Sequence, residues 1–365
     1  MTPQERFLAY MRFDTVDRPP LFEWGGWSAT VERWVRESGL TEREALYYLD
    51  ECDAQASTGV DFAMRPPIPE RVLAEDDDTV TKVDGMGQVS REFKAHPDNS
   101  MPEFVGFPVS SADDWAEIKR RLDPSLPERY PADWELQVAQ WQREQPILKL
   151  YGFVAGYYGG PSLFGFVRML LGPERALYAF YDEPDLVHDM MEHATDFAIA
   201  VMEKALREAP VTYVQFWEDM CYKGGPLIAP ATMREFMLPR YRRMTEAIRR
   251  AGVEVIFVDS DGDVSELIPL WLEAGINGVF PMEQAAGNDI RTYQRQYGHD
   301  LLIMGGIDKR ALAAGREAIE RELQAKLPLA EGGGYIPTLD HAVPPDVAFD
   351  DFYYYWQRKK ELLGV

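Results

Sequence analysis

The chain has 365 residues, 46% of them hydrophobic, which is enough for one large globular domain with a full core. Asp and Glu number 61 against 38 Lys and Arg, and the resulting net charge of −23 disfavours nucleic acid and anionic membranes as partners. Two cysteines, Cys52 and Cys221, are too few for a disulfide framework. Together with a charged, amphipathic N-terminal stretch and no apolar run of membrane-spanning length, they predict a cytoplasmic protein.

Short apolar runs alternate with amphipathic helical patterns along the whole chain. The runs are apolar on both faces, as in buried parallel strands. Eight of them predict strands at 19–26, 60–65, 147–154, 211–217, 253–259, 276–283, 301–306 and 334–341. Eight such units predict an α/β fold, a closed (β/α)8 TIM barrel forming one domain over 1–365. The alternative, a doubly wound sheet, usually needs a glycine-rich loop after its first strand, and Gly25-Gly26 does not match that pattern.

One segment interrupts this alternation after the second predicted strand. Polar and apolar residues alternate over 72–94 around Asp84-Gly85, which is a turn signal. The pattern predicts an inserted β-hairpin arm, followed by a helix near 112–122.

Ionisable and aromatic residues follow most of the predicted strands. The carboxyl ends of barrel strands form the mouth at which chemistry takes place, so these residues are candidates for the active site. They are Glu23, Trp24, Arg65, Tyr158, Glu218, Asp219, Asp259, Asp261, Glu283, Asp340 and His341.

Each acidic candidate has a structural alternative. Asp263 stands directly before the predicted helix 264–275, where it would serve as the N-cap, and Gly275 would end that helix. Asp259 ends a buried run and is too early to cap, which favours a functional role, whereas Asp261 fits either role. Of the adjacent pair at 218–219, at least one carboxylate should face the mouth, and we select Glu218.

The remaining candidates are read in the same way. His341 follows a strand, and Asp340 beside it is expected to orient its imidazole. Arg65 would bind a substrate carboxylate or take part in a structural ion pair, and Glu283 precedes a loop of small residues with room for a ligand. Cys221 would reach a metal or, as we favour, pack structurally. His188 and His193 are five residues apart, so a helix does not place them on one face as metal ligands.

Four segments carry a family resemblance: EDMCYKGGPLIAP, DSDGDVSELIPL, GGIDKRALAAG and GGYIPTLDHAVPPDV. They resemble the uroporphyrinogen decarboxylase superfamily of (β/α)8 barrels, which includes the haem-pathway decarboxylase and methyltransferases acting on methylated corrinoids. The resemblance extends over about residues 2–362 and is strongest after residue 211. It implies an enzyme with a small-molecule substrate and a possible homodimer.

The sequence departs from both branches of that superfamily. The decarboxylase carries an Arg-Gln-Ala-Gly-Arg stretch that holds the carboxylates of its tetrapyrrole, and this chain reads EWGGW at 23–27. The thiol-activating methyltransferases hold zinc with His-x-Cys and a later Cys, where this chain has Asp259-x-Asp261 and His341. The implied metal ligands are Glu218, Asp259, Asp261 and His341, a set that suits a divalent ion such as zinc.

The resemblance and the strand-end residues together favour methyl transfer from a methylated corrinoid or a small methylated compound, with a corrinoid protein as partner. Glu218, Asp259 and His341 would be catalytic, with or without a metal. The expected substrate-binding residues are Trp24, Arg65, Tyr158, Lys223 and Glu283. Two alternatives stay open: a decarboxylase of a porphyrinogen or a smaller carboxylic acid, and a non-catalytic corrinoid-binding barrel.

Overall fold

A computed structural model describes residues 1–94, 102–151, 153–154, 157–158 and 162–365, with 153–154 and 157–158 described by their backbone pairing alone. The strands in chain order are β1 Gln55–Ser57, β2 Arg71–Glu75, β3 Thr79–Val83, β4 Val89–Phe93, β5 Glu103–Gly106, β6 Ile147–Leu150, β7 Phe153–Val154, β8 Tyr157–Tyr158, β9 Tyr213–Trp217, β10 Cys221–Tyr222, β11 Gly225–Pro226, β12 Val255–Asp259, β13 Gly278–Phe280, β14 Leu302–Ile307 and β15 Tyr335–Leu339.

Helices follow or separate most of these strands. They are α1 Pro3–Met11, α2 Ser28–Ser38, α3 Glu42–Ala45, α4 Tyr48–Glu51, α5 Ala112–Arg121, α6 Trp134–Glu144, α7 Phe164–Leu171, α8 Pro173–Asp182, α9 Pro184–Glu208, α10 Pro230–Phe236, α11 Leu238–Arg250, α12 Ile268–Glu273, α13 Ile290–Tyr297, α14 Lys309–Ala313, α15 Arg316–Lys326 and α16 Phe349–Leu363. Short 3-10 turns lie at Pro127–Arg129, Gln284–Ala286, Gly298–Asp300 and Leu327–Ala330. Within the described ranges, no helix is both long enough and apolar enough to cross a bilayer.

Seven strands form one parallel sheet in the order β1-β6-β9-β12-β13-β14-β15. Each of these seven strands therefore pairs with the one that precedes it and the one that follows it among the seven. This α/β fold with a parallel sheet confirms the expected class. The strands predicted from residue 147 onward are present within one to four residues of their predicted ends. Their apolar runs allow burial on both faces, which parallel strands covered by helices require.

The first predicted strand, 19–26, is wrong as a strand, although it lies in the expected place. Its pairing is a single parallel bridge, Gly26 to Val343. On one side the Leu21 carbonyl accepts from the Asp53 N–H at 2.9 Å, and on the other the Gly25 carbonyl accepts from the Val343 N–H at 3.1 Å. The segment therefore lies between β15 and the chain entering β1, but makes too few bonds for a regular ladder.

The second predicted strand, 60–65, is also wrong, because the sheet strand here is β1 at 55–57. Val60, Phe62 and Met64 are buried as their alternation indicated, but in an irregular segment of the outer core. Its backbone N–H groups at 61 and 65 donate to the carbonyls of Arg129 and Arg121 instead of a neighbouring strand. The prediction of alternating burial in this segment is thus correct, but the prediction that its backbone forms a strand is wrong.

The region of the expected hairpin arm holds a larger structure. Strands β2, β3, β4 and β5 form a separate four-stranded antiparallel sheet, in which β3 and β4 are joined by the turn at 84–88. The expected arm of 72–94 is corrected to these four strands. The helix predicted near 112–122 is α5, and the helix predicted over 264–275 is the shorter α12, followed by Gly275 in the left-handed region.

Two apolar layers cover the faces of the parallel sheet. Alternate residues of each strand point inward, where Tyr213, Val255 and Phe257 belong to an inner cluster. The residues between them, such as Val214 and Ile256, point outward against the helices. Helix α1 contributes its apolar face to the inner cluster, with Phe7 stacked on Tyr213 at 5.3 Å between ring centroids. The inner cluster thus holds the first residues of the strands, which leaves their carboxyl ends for the polar groups.

Candidate active site

The acidic pair at the end of β9 is divided between two environments. Tyr213, Gln215 and Trp217 point inward along this strand, so the alternation turns Glu218 outward and Asp219 toward the mouth. The expectation that Glu218 is the mouth carboxylate is therefore wrong, and Asp219 takes that place. Asp219 has a φ of 44°, a left-handed conformation that Asp tolerates better than most residues.

Glu218 is fully buried and its carboxylate binds the start of helix α7. One oxygen accepts from the Leu163 N–H at 2.8 Å and the Tyr241 hydroxyl at 2.5 Å. The other accepts from the Gly165 N–H at 3.0 Å and the Ser162 hydroxyl at 3.3 Å. Burial raises the pKa of Glu218, and these donors oppose the rise. A carboxylate at a helix N-terminus with four donors has a structural role and little capacity left for a ligand.

Asp259 ends β12 and faces inward at the level of Trp217. Its carboxyl accepts one hydrogen bond, from the Gln215 side-chain amide at 3.0 Å. Burial, followed by the nearby charges of Asp219 and Asp261, raises the pKa of Asp259 well above its ordinary value. The raised pKa favours the protonated form of Asp259, in which the carboxyl is able to donate a hydrogen bond.

Asp219, Asp261 and His341 converge at the mouth. The Asp261 N–H donates to the Asp219 carboxylate at 3.4 Å, and the His341 Nε2 lies 3.9 Å from the Asp261 carboxylate. Burial, together with the charges of Asp219 and Glu283, raises the pKa of Asp261 to about 7. Burial and the charge of Lys309 lower the pKa of His341, so its imidazole is neutral near pH 7. We call Asp219, Asp259 and Asp261 the mouth acids.

The imidazole of His341 is held by aromatic rings. It stacks on Trp24 at 5.7 Å and on Trp27 at 5.8 Å between ring centroids, and Trp24 in turn stacks on Phe280 at 4.8 Å. The expectation that Asp340 orients this imidazole is wrong. The Asp340 carboxylate instead accepts from the backbone N–H groups of Gln284 at 2.8 Å and Lys309 at 3.0 Å.

Glu283 and Lys309 form the side of the mouth next to Asp261. The Glu283 carboxylate accepts from the Gly262 N–H at 3.0 Å and lies 3.4 Å from the Lys309 ammonium. Gly262 has a φ of +83°, and a Cβ there would lie 2.6 Å from backbone atoms of Cys221 and Tyr222. Close packing of these two loops brings Asp219 and Asp261 together, and it requires glycine.

Four other predicted residues lie outside this arrangement or belong to the framework. Glu23 is fully buried with Lys359, whose ammonium is 2.7 Å away, and accepts a further hydrogen bond from Tyr355. Arg65 forms an ion pair with Asp61, the structural alternative for that residue. Lys223 is exposed in the turn between β10 and β11. Tyr158 lies in β8, and its side chain is outside the described residues.

Cys221 and Asp263 have the structural roles that the sequence analysis favours for them. Burial raises the pKa of the Cys221 thiol to about 12, so it is not a thiolate at neutral pH. The Asp263 carboxylate accepts from the Ser265 N–H at 3.0 Å, as a cap of the turn that leads into α12.

The expected metal ligands do not assemble into one site. Glu218 is turned away and bound by four donors, and Asp259 already accepts from Gln215. Across the residues that the structure describes, no group of three or more His, Cys, Asp and Glu side chains is placed to hold one ion. The arrangement therefore does not fit the four-residue zinc site that the resemblance implies.

Five further side chains at the site were missed from the sequence: Lys149, Arg168, Gln215, Trp27 and Lys309. Arg168 lies over the Trp217 ring at 5.0 Å and 3.6 Å from the Asp219 carboxylate. Strand alternation would have identified Lys149 and Gln215, because both are inward residues of predicted strands. Arg168 and Lys309 lie on helices, where no strand-end pattern indicates them.

Comparisons with known proteins now place this chain. The sequence profile described as uroporphyrinogen decarboxylase (URO-D) matches residues 95–361, well over half of the chain. The chain belongs to the URO-D family. Its curated relatives include the uroporphyrinogen decarboxylase of Streptomyces coelicolor, 28% identical over 200 residues, which are 52% of each protein. That of Saccharopolyspora erythraea is 29% identical over 209 residues, 52% of this chain and 54% of the relative. The chain thus spans about half the length of the curated relatives it matches.

A solved structure shares the fold of this chain over its full length. A methyltransferase from Methanosarcina mazei matches with a TM-score of 0.61 and 15% identity, covering 99% of both chains. At this identity the match supports the fold. The family contains enzymes. The reaction of this member has to be inferred from the residues at the mouth.

Proposed function

We propose that this URO-D family member is a methyl-transfer enzyme that acts on a small methylated compound, with a corrinoid carried by a partner protein as the other methyl carrier. The observation behind the proposal is the set of mouth acids facing a neutral imidazole. The pKa values of two of these acids are raised, that of Asp261 to about 7, which suits the protonation of a leaving group.

The charge of the mouth argues against tetrapyrrole decarboxylation. A uroporphyrinogen carries eight carboxylates, which need several arginines or lysines as partners. The segment 23–27 has no basic residue, and its Glu23 is committed to Lys359. Of the cations at the mouth, Arg168 and Lys309 already face Asp219 and Glu283. A polyanion would therefore meet carboxylates where it needs cations.

The mouth residues take separate roles in the proposed reaction. The C–X bond of the methyl donor breaks, a bond from that methyl carbon to the acceptor forms, and X leaves with the electron pair. The carboxyl of Asp261 gives its proton to X, and Asp259 donates a hydrogen bond to the same group. His341, neutral and fixed by its two tryptophans beside Asp261, would pass a proton from solvent back to that carboxylate after the transfer.

The other predicted residues complete the proposal. Glu218 is a positioning residue that holds the start of α7 beneath Arg168, while Trp24 and Glu283 form walls of the substrate site. Tyr158, Lys223 and Arg65 remain proposed substrate contacts, and Arg65 would have to exchange Asp61 for the substrate. No step of this mechanism is routed through a metal ion.

The proposal is tested by following the cobalamin spectrum in both directions. The purified protein is incubated with methylcobalamin and a panel of small thiols, amines and alcohols, and separately with cob(I)alamin and small methyl ethers, methylamines and methyl thioethers. We expect protein-dependent loss or gain of methylcobalamin with at least one compound. The rate of this change should be at least about 100-fold lower in Asp261→Asn. Spectra that never differ from the protein-free control would contradict methyl transfer.

Decarboxylation of a smaller acid is the second candidate, because a protonated carboxyl also suits the protonation of a carbanion left by CO2, and the curated relatives are named decarboxylases. Incubation with uroporphyrinogen III and a panel of small carboxylic acids, followed by chromatography and CO2 detection, separates the two. Release of CO2 without any change in the cobalamin spectrum would favour this candidate.

A further inference from the structure

Lys149 is a lysine on the inner face of the parallel sheet. It lies on β6 two residues after Ile147, which belongs to the inner cluster, and the alternation of the strand directs both side chains inward. Its ammonium lies 5.3 Å from the centroid of the Tyr151 ring and experiences the charge of Asp259. The side chain is partly exposed, so it is not sealed in the apolar core.

The ion pairing of Lys149 differs from that of the other cations at the site. Arg168 lies 3.6 Å from Asp219 and Lys309 lies 3.4 Å from Glu283. Lys149 forms no ion pair with any acid in the described part of the chain, and the Asp259 carboxyl accepts from the Gln215 side chain instead. Inside a protein a charge without a partner is costly, so such a group calls for a functional reason.

The surroundings of Lys149 define what it can bind. Strand β9 separates its strand from β12, and the Gln215 amide on β9 holds the Asp259 carboxyl at 3.0 Å. In the sheet register Lys149 is level with Tyr213, whereas Asp259 is level with Trp217, nearer the mouth, and no ion pair joins the two. A substrate carboxylate placed at the Lys149 ammonium would accept hydrogen bonds from it and would neutralise it.

We propose that Lys149 binds the carboxylate of the substrate, so that the methylated compound is a small monocarboxylic acid held by its acid group at the floor of the mouth. That the substrate is methylated rests on the proposed methyl transfer. That the site binds a carboxylate rests on the position of Lys149 alone. A single ammonium matches a single negative charge. Asp219, Asp261 and Glu283 above it repel a second one, which disfavours di- and polyanions.

The subsite is tested by binding measurements without any corrinoid. Calorimetry compares methoxyacetate and 3-methoxybenzoate with their uncharged amides, on the wild-type protein, Lys149→Met and Lys149→Gln. Lys82→Met is the matched control, because Lys82 is also a strand lysine but lies in the four-stranded sheet, paired with Glu92 at 2.8 Å. Thermal melts establish that each variant is folded.

We expect the wild-type protein and Lys82→Met to bind at least one acid about 10- to 100-fold more tightly than its amide, which is the value of a charged hydrogen bond. Both Lys149 variants should lose this preference while their affinity for the amide is retained. The inference is overturned if the wild type binds neither acid better than its amide, or if a folded Lys149 variant keeps the preference. Loss of the preference with no turnover of any methylated acid would leave the subsite standing and count against methyl transfer instead.

Discussion

Two sets of carboxylates lie at the carboxyl end of the sheet, and they differ in what their oxygens bind. Glu23, Glu218 and Asp340, which we call the saturated acids, accept from backbone N–H groups, hydroxyls or an ammonium. The mouth acids, by contrast, have few donors, and burial raises the pKa of each of them. Glu218 and Asp219 are adjacent in the chain and fall into different sets. Position at a strand end therefore does not separate the saturated acids from the mouth acids, whereas the supply of hydrogen-bond donors does.

The physical basis of this division is the helix that follows each strand. Helix N-termini present N–H groups that need acceptors, and a carboxylate supplies two oxygens to them. Glu218 serves α7 and Asp340 serves the starts of α14 and the 3-10 turn at 284–286. Acids that accept from helix N-termini in this way stabilise the fold. The neighbouring inward-facing acid has few hydrogen-bond donors and mainly experiences the charges of nearby carboxylates.

The strongest separation of the two sets is expected from Asp259→Asn. Turnover should fall at least about 100-fold, because the amide is a much weaker acid than the carboxyl and donates a weaker hydrogen bond to the leaving group in the transition state. The melting temperature should not decrease, since the variant removes a buried ionisable group without changing its shape. Steady-state kinetics and thermal melts measure the two effects. Asp263→Asn is the matched control, and a kcat for Asp259→Asn within threefold of wild type would remove Asp259 from the mechanism.

Glu218→Ala should give the reverse pattern, with stability as the main loss. The substitution leaves the N–H groups of Leu163 and Gly165 and the Tyr241 hydroxyl without their acceptor in a buried place. We expect the free energy of unfolding to fall by about 3 kcal/mol or more. Urea unfolding measures it, and a midpoint equal to that of wild type would show that Glu218 is not a saturated acid.

The pH dependence of stability sharpens the comparison for Asp261. Its pKa is raised from 3.8 to about 7 in the folded protein, so the folded state binds this proton more tightly than the unfolded state does. The stability that results is fully present below pH 4 and is lost as the pH rises through about 7. Asp261→Asn lacks this loss, and its melting temperature should gain on that of wild type between pH 4 and pH 8. A constant difference across this range would contradict the raised pKa.

The smallest effect is expected at Cys221, which lies two residues after Asp219 but outside both sets. Its pKa of about 12 leaves almost no thiolate at pH 8, so alkylation by iodoacetamide should be much slower than in the urea-unfolded protein. Mass spectrometry of the peptide follows the modification, with Cys52, whose pKa is also about 12, as a second buried thiol. Rapid alkylation in the folded state would place Cys221 in the open mouth.

Much of the fold was predictable because its signals are local. The runs at 211–217 and 253–259 are apolar on both faces, and both are strands of the parallel sheet. The prediction of a strand at 19–26 was wrong because the few sheet hydrogen bonds of this segment are made with Val343 and Asp53, which are distant in the chain. The segment 60–65 has the burial of a strand, but Arg129 and Arg121 take its backbone bonds.

The site was predictable in place and less so in detail. Asp259, Asp261 and His341 are at the mouth as expected from strand ends, and their catalytic roles remain proposals. The choice of Glu218 over Asp219 was wrong although the alternation of Tyr213, Gln215 and Trp217 was readable. The stacking of His341 between Trp24 and Trp27 was not readable, because it depends on how the strand β15 and the segment 19–27 meet in space.

The buried pair of Glu23 and Lys359 joins residues that are 336 positions apart. At cellular translation rates of 5–20 residues per second, the ribosome needs roughly 20 to 70 s to reach Lys359 after it has made Glu23. During that time Glu23 lacks the ammonium of Lys359, and the segment 19–27 lacks the contacts with β15 and α16 that fix it in place. The site at the mouth, which includes Trp24 next to Glu23, is therefore completed only after Lys359 has been made.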